Sequence, residues 1–206
     1  LPGDAAPTAT CTLSRTWVSG VSSSAQIAAY VQNKSGVNFA LSGAAKYGAT
    51  VASYSVTIEN SVYARSSAGT ISHSPIAGSG TVSYSYTVTD SRGLSRTYTG
   101  TLTVLAWSTP KITAFSVTRV NADNEEAVDG TYARITVRAS VSSLVVDGAQ
   151  KNSLSYFVYY YKSGESSVTV CDTYNSGAIS VNRSALLVDG GAPVSTLDDM
   201  SGYEFH

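Results

Sequence analysis

Apolar and polar residues alternate with a period of two along most of this chain, in short runs separated by Gly, Asn, Asp, Ser and Pro. In the first half the runs are Ala9-Cys11-Leu13, Ala25-Ile27-Ala29-Val31 and Val37-Phe39-Leu41. Val51 to Ile58, Gly69 to Ser72, Val82 to Thr89 and Tyr98 to Val104 follow. Alternation of this kind turns one face of each strand to a core and the other to water. The segment from Tyr86 to Tyr98 is the clearest predicted hairpin. Asp90 and Ser91 can bond the turn backbone there, and Gly93 can take a positive φ without a Cβ clash. No window carries a sustained helical period with caps. The pattern predicts an all-β chain of the sandwich or barrel kind.

The second half repeats the first. Cys11-Thr12-Leu13-Ser14-Arg15 is answered by Phe115-Ser116-Val117-Thr118-Arg119, and Ala25, Ile27, Ala29 and Val31 by Ala133, Ile135, Val137 and Ala139. Ser53-Tyr54 with Val56 returns as Ser155-Tyr156 with Val158. Gly69 to Ser72 returns as Gly177 to Ser180, and Tyr84-Ser85-Tyr86 as Tyr203-Glu204-Phe205. Two copies of one unit are expected: a linker over 1–7, one domain over 8–106 and a second over 107–206. Trp107, at the junction, reads first as a plug between domains and second as a ligand platform. In the second copy no run matches Tyr98 to Val104. That domain is expected to lack its last strand, because the natural protein continues or, as the alternative, because a partner supplies the strand. The opening Leu1-Pro2-Gly3 shows no signal-peptide pattern and reads as the start of an excised piece.

Charged residues make up 13% of the chain, about half the usual share, and the formal net charge is −1. Polarity comes from hydroxyls instead. The balance leaves no basic footprint for nucleic acid or anionic lipid, and no run approaches the ~20 apolar residues of a membrane span. The two cysteines, Cys11 and Cys171, fall one in each repeat and read as small buried hydrophobes.

Catalytic chemistry finds little to work with. A Ser-His pair needs an imidazole, and only His73 and His206 are present, with no nucleophile elbow around any serine. No Cys/His cluster has zinc spacing, and no glycine loop ends in the Lys-Ser/Thr of a phosphate cradle. The stretch from Asn121 to Gly130 holds Asp123, Glu125, Glu126 and Asp129. It reads as a solvated acidic loop, with calcium as the sharper alternative if neighbouring loops completed the shell. Asp198-Asp199 reads as a turn, and Lys46 or Lys111 could enter an isopeptide crosslink. No other cofactor is expected, and the chain reads as non-enzymatic. Binding remains. There are 14 tyrosines against 4 phenylalanines, and tyrosine suits surfaces that stay partly wet. In the strand Leu154 to Tyr161, alternation places Tyr156, Val158 and Tyr160 on one face. Phe157, Tyr159 and Tyr161 fall on the other, as a contact surface for another domain or subunit or for a ligand.

The strings Ile112 to Arg119, Asp129 to Val137, Lys151 to Tyr156 with the following Lys162-Ser163-Gly164, and Tyr86 to Gly93 resemble the tandem β-domains of phage minor structural proteins. They are similar to tail-tip proteins of siphophages infecting Gram-positive bacteria, and the resemblance covers most of both units. It implies two tandem Ig-like or fibronectin-like β-sandwiches in a virion protein of the tail. Such a protein would space or present a receptor-binding part, with other tail or fibre subunits and a bacterial surface glycan or protein as partners. Repetition in an oligomeric fibre would raise avidity. The alternatives are a bacterial cell-surface adhesin stalk and a carbohydrate-binding accessory domain of a larger hydrolase.

Overall fold

The computed structural model describes residues 4–186, 188–189, 192–193 and 203–205. Apart from one 3-10 turn at Ser23–Ala25, its regular structure is all strand. The chain divides into two compact units: Leu1–Trp107 with Leu144–Ala149, and Ser108–Ser143 with Gln150–His206.

The strands of the first stretch are β1 (Thr8–Trp17), β2 (Tyr30–Val31), β3 (Ser35–Ala44), β4 (Val51–Ile58), β5 (Ser61–Arg65), β6 (Gly69–His73), β7 (Gly80–Asp90) and β8 (Ser95–Leu105). They form a three-stranded sheet in the order β1-β3-β6 and a five-stranded sheet in the order β2-β8-β7-β4-β5. Val37, Phe39 and Leu41 from the first sheet meet Tyr54, Val56, Ile58, Val88 and Leu102 from the second in one buried cluster. Phe39 meets the Tyr84 ring edge-on at a centroid distance of 5.2 Å. The β7–β8 hairpin closes as its composition predicts. Asp90 Oδ1 accepts from the amides of Arg92 and Leu94, at 2.9 and 3.0 Å, and Gly93 takes φ +83°.

The second stretch runs β9 (Lys111–Val120), β10 (Tyr132–Ser140), β11 (Val145–Val146), β12 (Ala149–Gln150), β13 (Ser155–Lys162), β14 (Thr169–Asn175), β15 (Ser180–Leu186), β16 (Val188–Asp189), β17 (Ala192–Pro193) and β18 (Tyr203–Phe205). Here β9-β10-β15 takes the same order as β1-β3-β6, and β14-β13-β18 the same order as β5-β4-β7. Ala133, Ile135, Val137, Leu154, Val158 and Cys171 make the core.

Two echoes are displaced in register. Ala25 to Val31 is not the partner of β1. Only Tyr30–Val31 is strand, paired in parallel with Val104 and Leu105, while β3 lies along β1 with Leu13 opposite Phe39. Two alternating runs compete for that place, and the one carrying Phe39 and Leu41 removes far more apolar surface from water. The counterpart of β10 is therefore β3: Phe115 faces Val137 as Cys11 faces Leu41. Likewise Leu41 opposes Gly69 and Val137 opposes Arg183, so the place of Gly69 falls at Arg183 and not at Gly177, which turns the chain with φ +77°. The stretch expected to be linker is packed from Asp4 onward. Pro7 and Ala5 are buried, Asp4 pairs with Arg96 and Lys46, and Ala5 O accepts from Arg92.

Candidate functional site

Strand β13 presents the aromatic face that alternation predicts. Tyr156, Val158 and Tyr160 turn to the core, where Tyr156 stacks on Tyr174 at 5.3 Å and Tyr160 lies 5.4 Å from Phe205. On the other face Phe157 is 62% exposed, and its ring lies 6.0 Å from that of Tyr159. Tyr159 stands opposite Val170, which is also exposed, as is Val168 beside it. Tyr161 is half-buried. The result is an aromatic and aliphatic strip along the outside of the β13–β14 pair.

Beneath the strip a register shift leaves Cys171 as the extra residue, since Val158 pairs with Asp172 and Tyr159 with Val170. A bulge breaks alternation, and here it turns two successive side chains inward: Cys171 is 1% exposed and Asp172 3%. The Asp172 carboxylate accepts from Arg183 Nη1 at 2.6 Å and from the Tyr156 hydroxyl at 3.2 Å. Burial, then the neighbouring Asp172 charge, push the Cys171 thiol up to about 11. At pH 8 only about one thiol in a thousand is then the reactive thiolate. Cys171 should stay silent to a thiol-specific reagent in the native chain, reacting faster as pH rises and at once after unfolding. Half-buried Cys11, whose thiol burial also raises, should react slowly. Mass spectrometry of the labelled peptides checks this.

The acidic loop is tied to its own strands. Asn121 Oδ1 accepts from the amides of Asp123 and Glu125, at 3.0 and 2.9 Å. Arg134 donates to Asn124 O and to Glu126 Oε1, and Arg119 to Val128 O. Asp123, Glu125, Glu126 and Asp129 are not gathered: among the described residues no three His, Cys, Asp or Glu side chains form a group that could hold an ion.

In the first unit His73 is buried with both ring nitrogens engaged. Nδ1 meets the Tyr63 hydroxyl and Nε2 meets Glu59 Oε2, each at 2.8 Å. Burial is the largest single influence on the Glu59 carboxyl and raises it. The Gly78 amide, His73 and the Ala77 amide together outweigh that and hold it below the ordinary value. No serine hydroxyl takes part in this chain of contacts. His206 and Asp198-Asp199 lie outside the described residues. Lys46 donates to Asp4 O at 2.9 Å. Trp107 is half-buried, with Lys34 Nζ 3.8 Å above its ring.

Composition had shown many hydroxyls without placing them. Thr97, Thr99, Thr101 and Thr103 project from one face of β8, opposite Thr87, Ser85, Ser83 and Thr81 of β7. Thr87 and Thr97 bond side chain to side chain at 2.7 Å. A shallow groove of about 500 Å³ runs across this face, lined by the hydroxyls of Thr57, Ser83, Ser85, Thr99 and Thr101 together with Glu59, Ile58 and Tyr84. The signal was the strict Thr-x-Thr spacing of Thr97 to Thr103.

No helix among the described residues is long and apolar enough to cross a membrane. No curated protein matches the chain. A solved structure described as "Structural basis for the promiscuous specificity of the carbohydrate-binding modules from the beta-sandwich super family" aligns at 18% identity with a TM-score of 0.38. The alignment covers 99% of this chain and 96% of that one. The family model "Siphovirus protein of unknown function (DUF859)" matches residues 8–188, and this chain belongs to that family of siphovirus proteins.

Proposed function

We propose that the chain is a non-enzymatic structural protein of the virion, at the tail tip or in a tail fibre, where two tandem Ig-like sandwiches act as spacer and host-adhesion module. Membership of a siphovirus family supports the phage setting. The observation that carries the adhesive role is the outward strip on β13 and β14, where Phe157 and Val170 are exposed beside half-buried Tyr159. Rigid aromatic and aliphatic side chains held in water on a sheet face favour contact with another surface, at little cost in side-chain entropy. The contact is to a neighbouring subunit or to the host surface. Gold-labelled antibody against the chain should decorate the tail end of particles. Particles carrying Phe157→Ser and Val170→Ser should lose adsorption or assembly by about tenfold or more, the scale of removing one central anchor, while the isolated chain keeps its melting temperature. Decoration of the capsid, or unchanged assembly and adsorption, would overturn the reading.

A glycan-binding role is the second reading. The groove on β4, β7 and β8 favours it, since hydroxyls, the Glu59 carboxylate and the apolar faces of Ile58 and Tyr84 together match the mixed polar and apolar surface of a sugar chain.

A further inference from the structure

The odd-numbered residues of β1 face the core of the first unit. Ala9 is buried in it, and Cys11 and Leu13 pack against it. Arg15 and Trp17 continue that row, so a guanidinium stands where the pattern asks for an apolar side chain, opposite Val37, which is 0% exposed. Its Cζ lies 5.7 Å from the centroid of the Trp17 ring and 5.7 Å from that of Tyr30. Its Nε is buried and has no hydrogen-bond partner among the described residues.

Every other arginine of the chain has an acceptor. Arg65 donates to Ser67 O and Thr70 O, Arg92 to Asp90, Arg134 to Glu126, Arg138 to Asn182 and Arg183 to Asp172, and Arg96 pairs with Asp4. Arg119, which holds the place of Arg15 in the second unit, donates to Val128 O at 2.9 Å. The repeated arginine is thus capped by a loop carbonyl in one copy and left without a counter-group in the other. Two aromatic rings stabilise the cation but do not satisfy its N–H groups. The Nε is shut off from solvent, but the two Nη groups also find no acceptor among the described residues and stay open to one from outside the chain.

We propose that Arg15, held by Trp17 and Tyr30, is a binding site for an oxyanion, a carboxylate or a phosphate group, taken end-on by the two Nη groups. The planar guanidinium fork matches such a group in two parallel hydrogen bonds. The oxyanion arrives either as a free ion or on a sugar ring, and the site is separate from the strip on β13, so either can fail without the other.

The chain holds two tryptophans, and Trp107→Phe leaves Trp17 as the sole indole emitter. Full-length Trp107→Phe protein is titrated at low salt with inorganic phosphate, glucuronate and neutral glucose. Saturable change in Trp17 emission with glucuronate or phosphate, none with glucose, and at least tenfold weakening in Arg15→Gln supports the site. Tighter binding of glucuronate than of phosphate assigns the oxyanion to a sugar, and equal binding to a free ion. Arg15→Lys keeps the charge but not the fork and should weaken binding less than Arg15→Gln. In the unsubstituted chain the Arg15 Nε–H resonance should shift with the same midpoint, a readout that needs no variant. No saturable response to either acid, an equal response to glucose, or undiminished binding in Arg15→Gln would overturn it.

Discussion

Phe39→Ala should destabilise the first unit by about 3–5 kcal/mol, the usual range for emptying a fully buried aromatic site. Phe39 is 0% exposed and lies in the core between Leu13, its cross-strand partner on β1, and the Tyr84 ring on β7. Little can collapse into the gap. The neighbours Val37, Val56 and Ile58 are themselves fully buried on strands whose backbones are paired. A domain of this size has only about 5–15 kcal/mol to lose, so one substitution removes a large share. Hydrogen exchange read peptide by peptide should show protection falling across β3, β4 and β7. Protection unchanged in those strands would mean that the two sheets do not share the core described. Phe39→Leu, which keeps most of the volume, should cost much less.

Asp172→Ala should cost the second unit about 3 kcal/mol, at the low end of the range for removing one partner of a buried pair. The carboxylate is 3% exposed and accepts from Arg183 and Tyr156. The Arg183 side chain is 34% exposed, so water recovers part of the loss. Asp172→Asn keeps the shape and one acceptor and should fall between. Removing both polar ends together, as Asp172→Leu with Arg183→Met, should restore much of the stability, because the penalty lies in the stranded charge and not in a missing attraction. Denaturant melts of the four proteins check this. A double variant no better than Asp172→Ala alone would show that Asp172 holds the β14 bulge by shape.

The period-two pattern was enough for the fold class and for which side of most strands is buried, because alternation is a local property of an extended chain. It placed Tyr54, Val56 and Ile58 inward on β4 and left Phe157 in water on β13. The β7–β8 turn was readable for the same reason, since Asp90 and Gly93 act within a few residues of each other. The internal echoes of the sequence did not specify register. Ala25 to Val31 and Val37 to Leu41 carry the same alternation, and only the area each can bury against β4 and β7 separates them. The outward strip on β13 and β14 was half visible. Phe157 and Tyr159 followed from alternation, whereas Val170 joined them through a cross-strand pairing that spacing along the chain does not specify.

The chain by itself determined that it is built of strands and that its polarity comes from hydroxyls and tyrosines more than from charges. Those properties reside in residue types and in distances of two or three residues. Tertiary structure alone decided that Asp172 is buried beside Arg183, that His73 lies between Tyr63 and Glu59, and that Arg15 stands without an acceptor where Arg119 has one. Each depends on a bulge, a cross-strand neighbour or a loop arriving from far along the chain. The energy that selects among such arrangements comes from burial summed over a whole core.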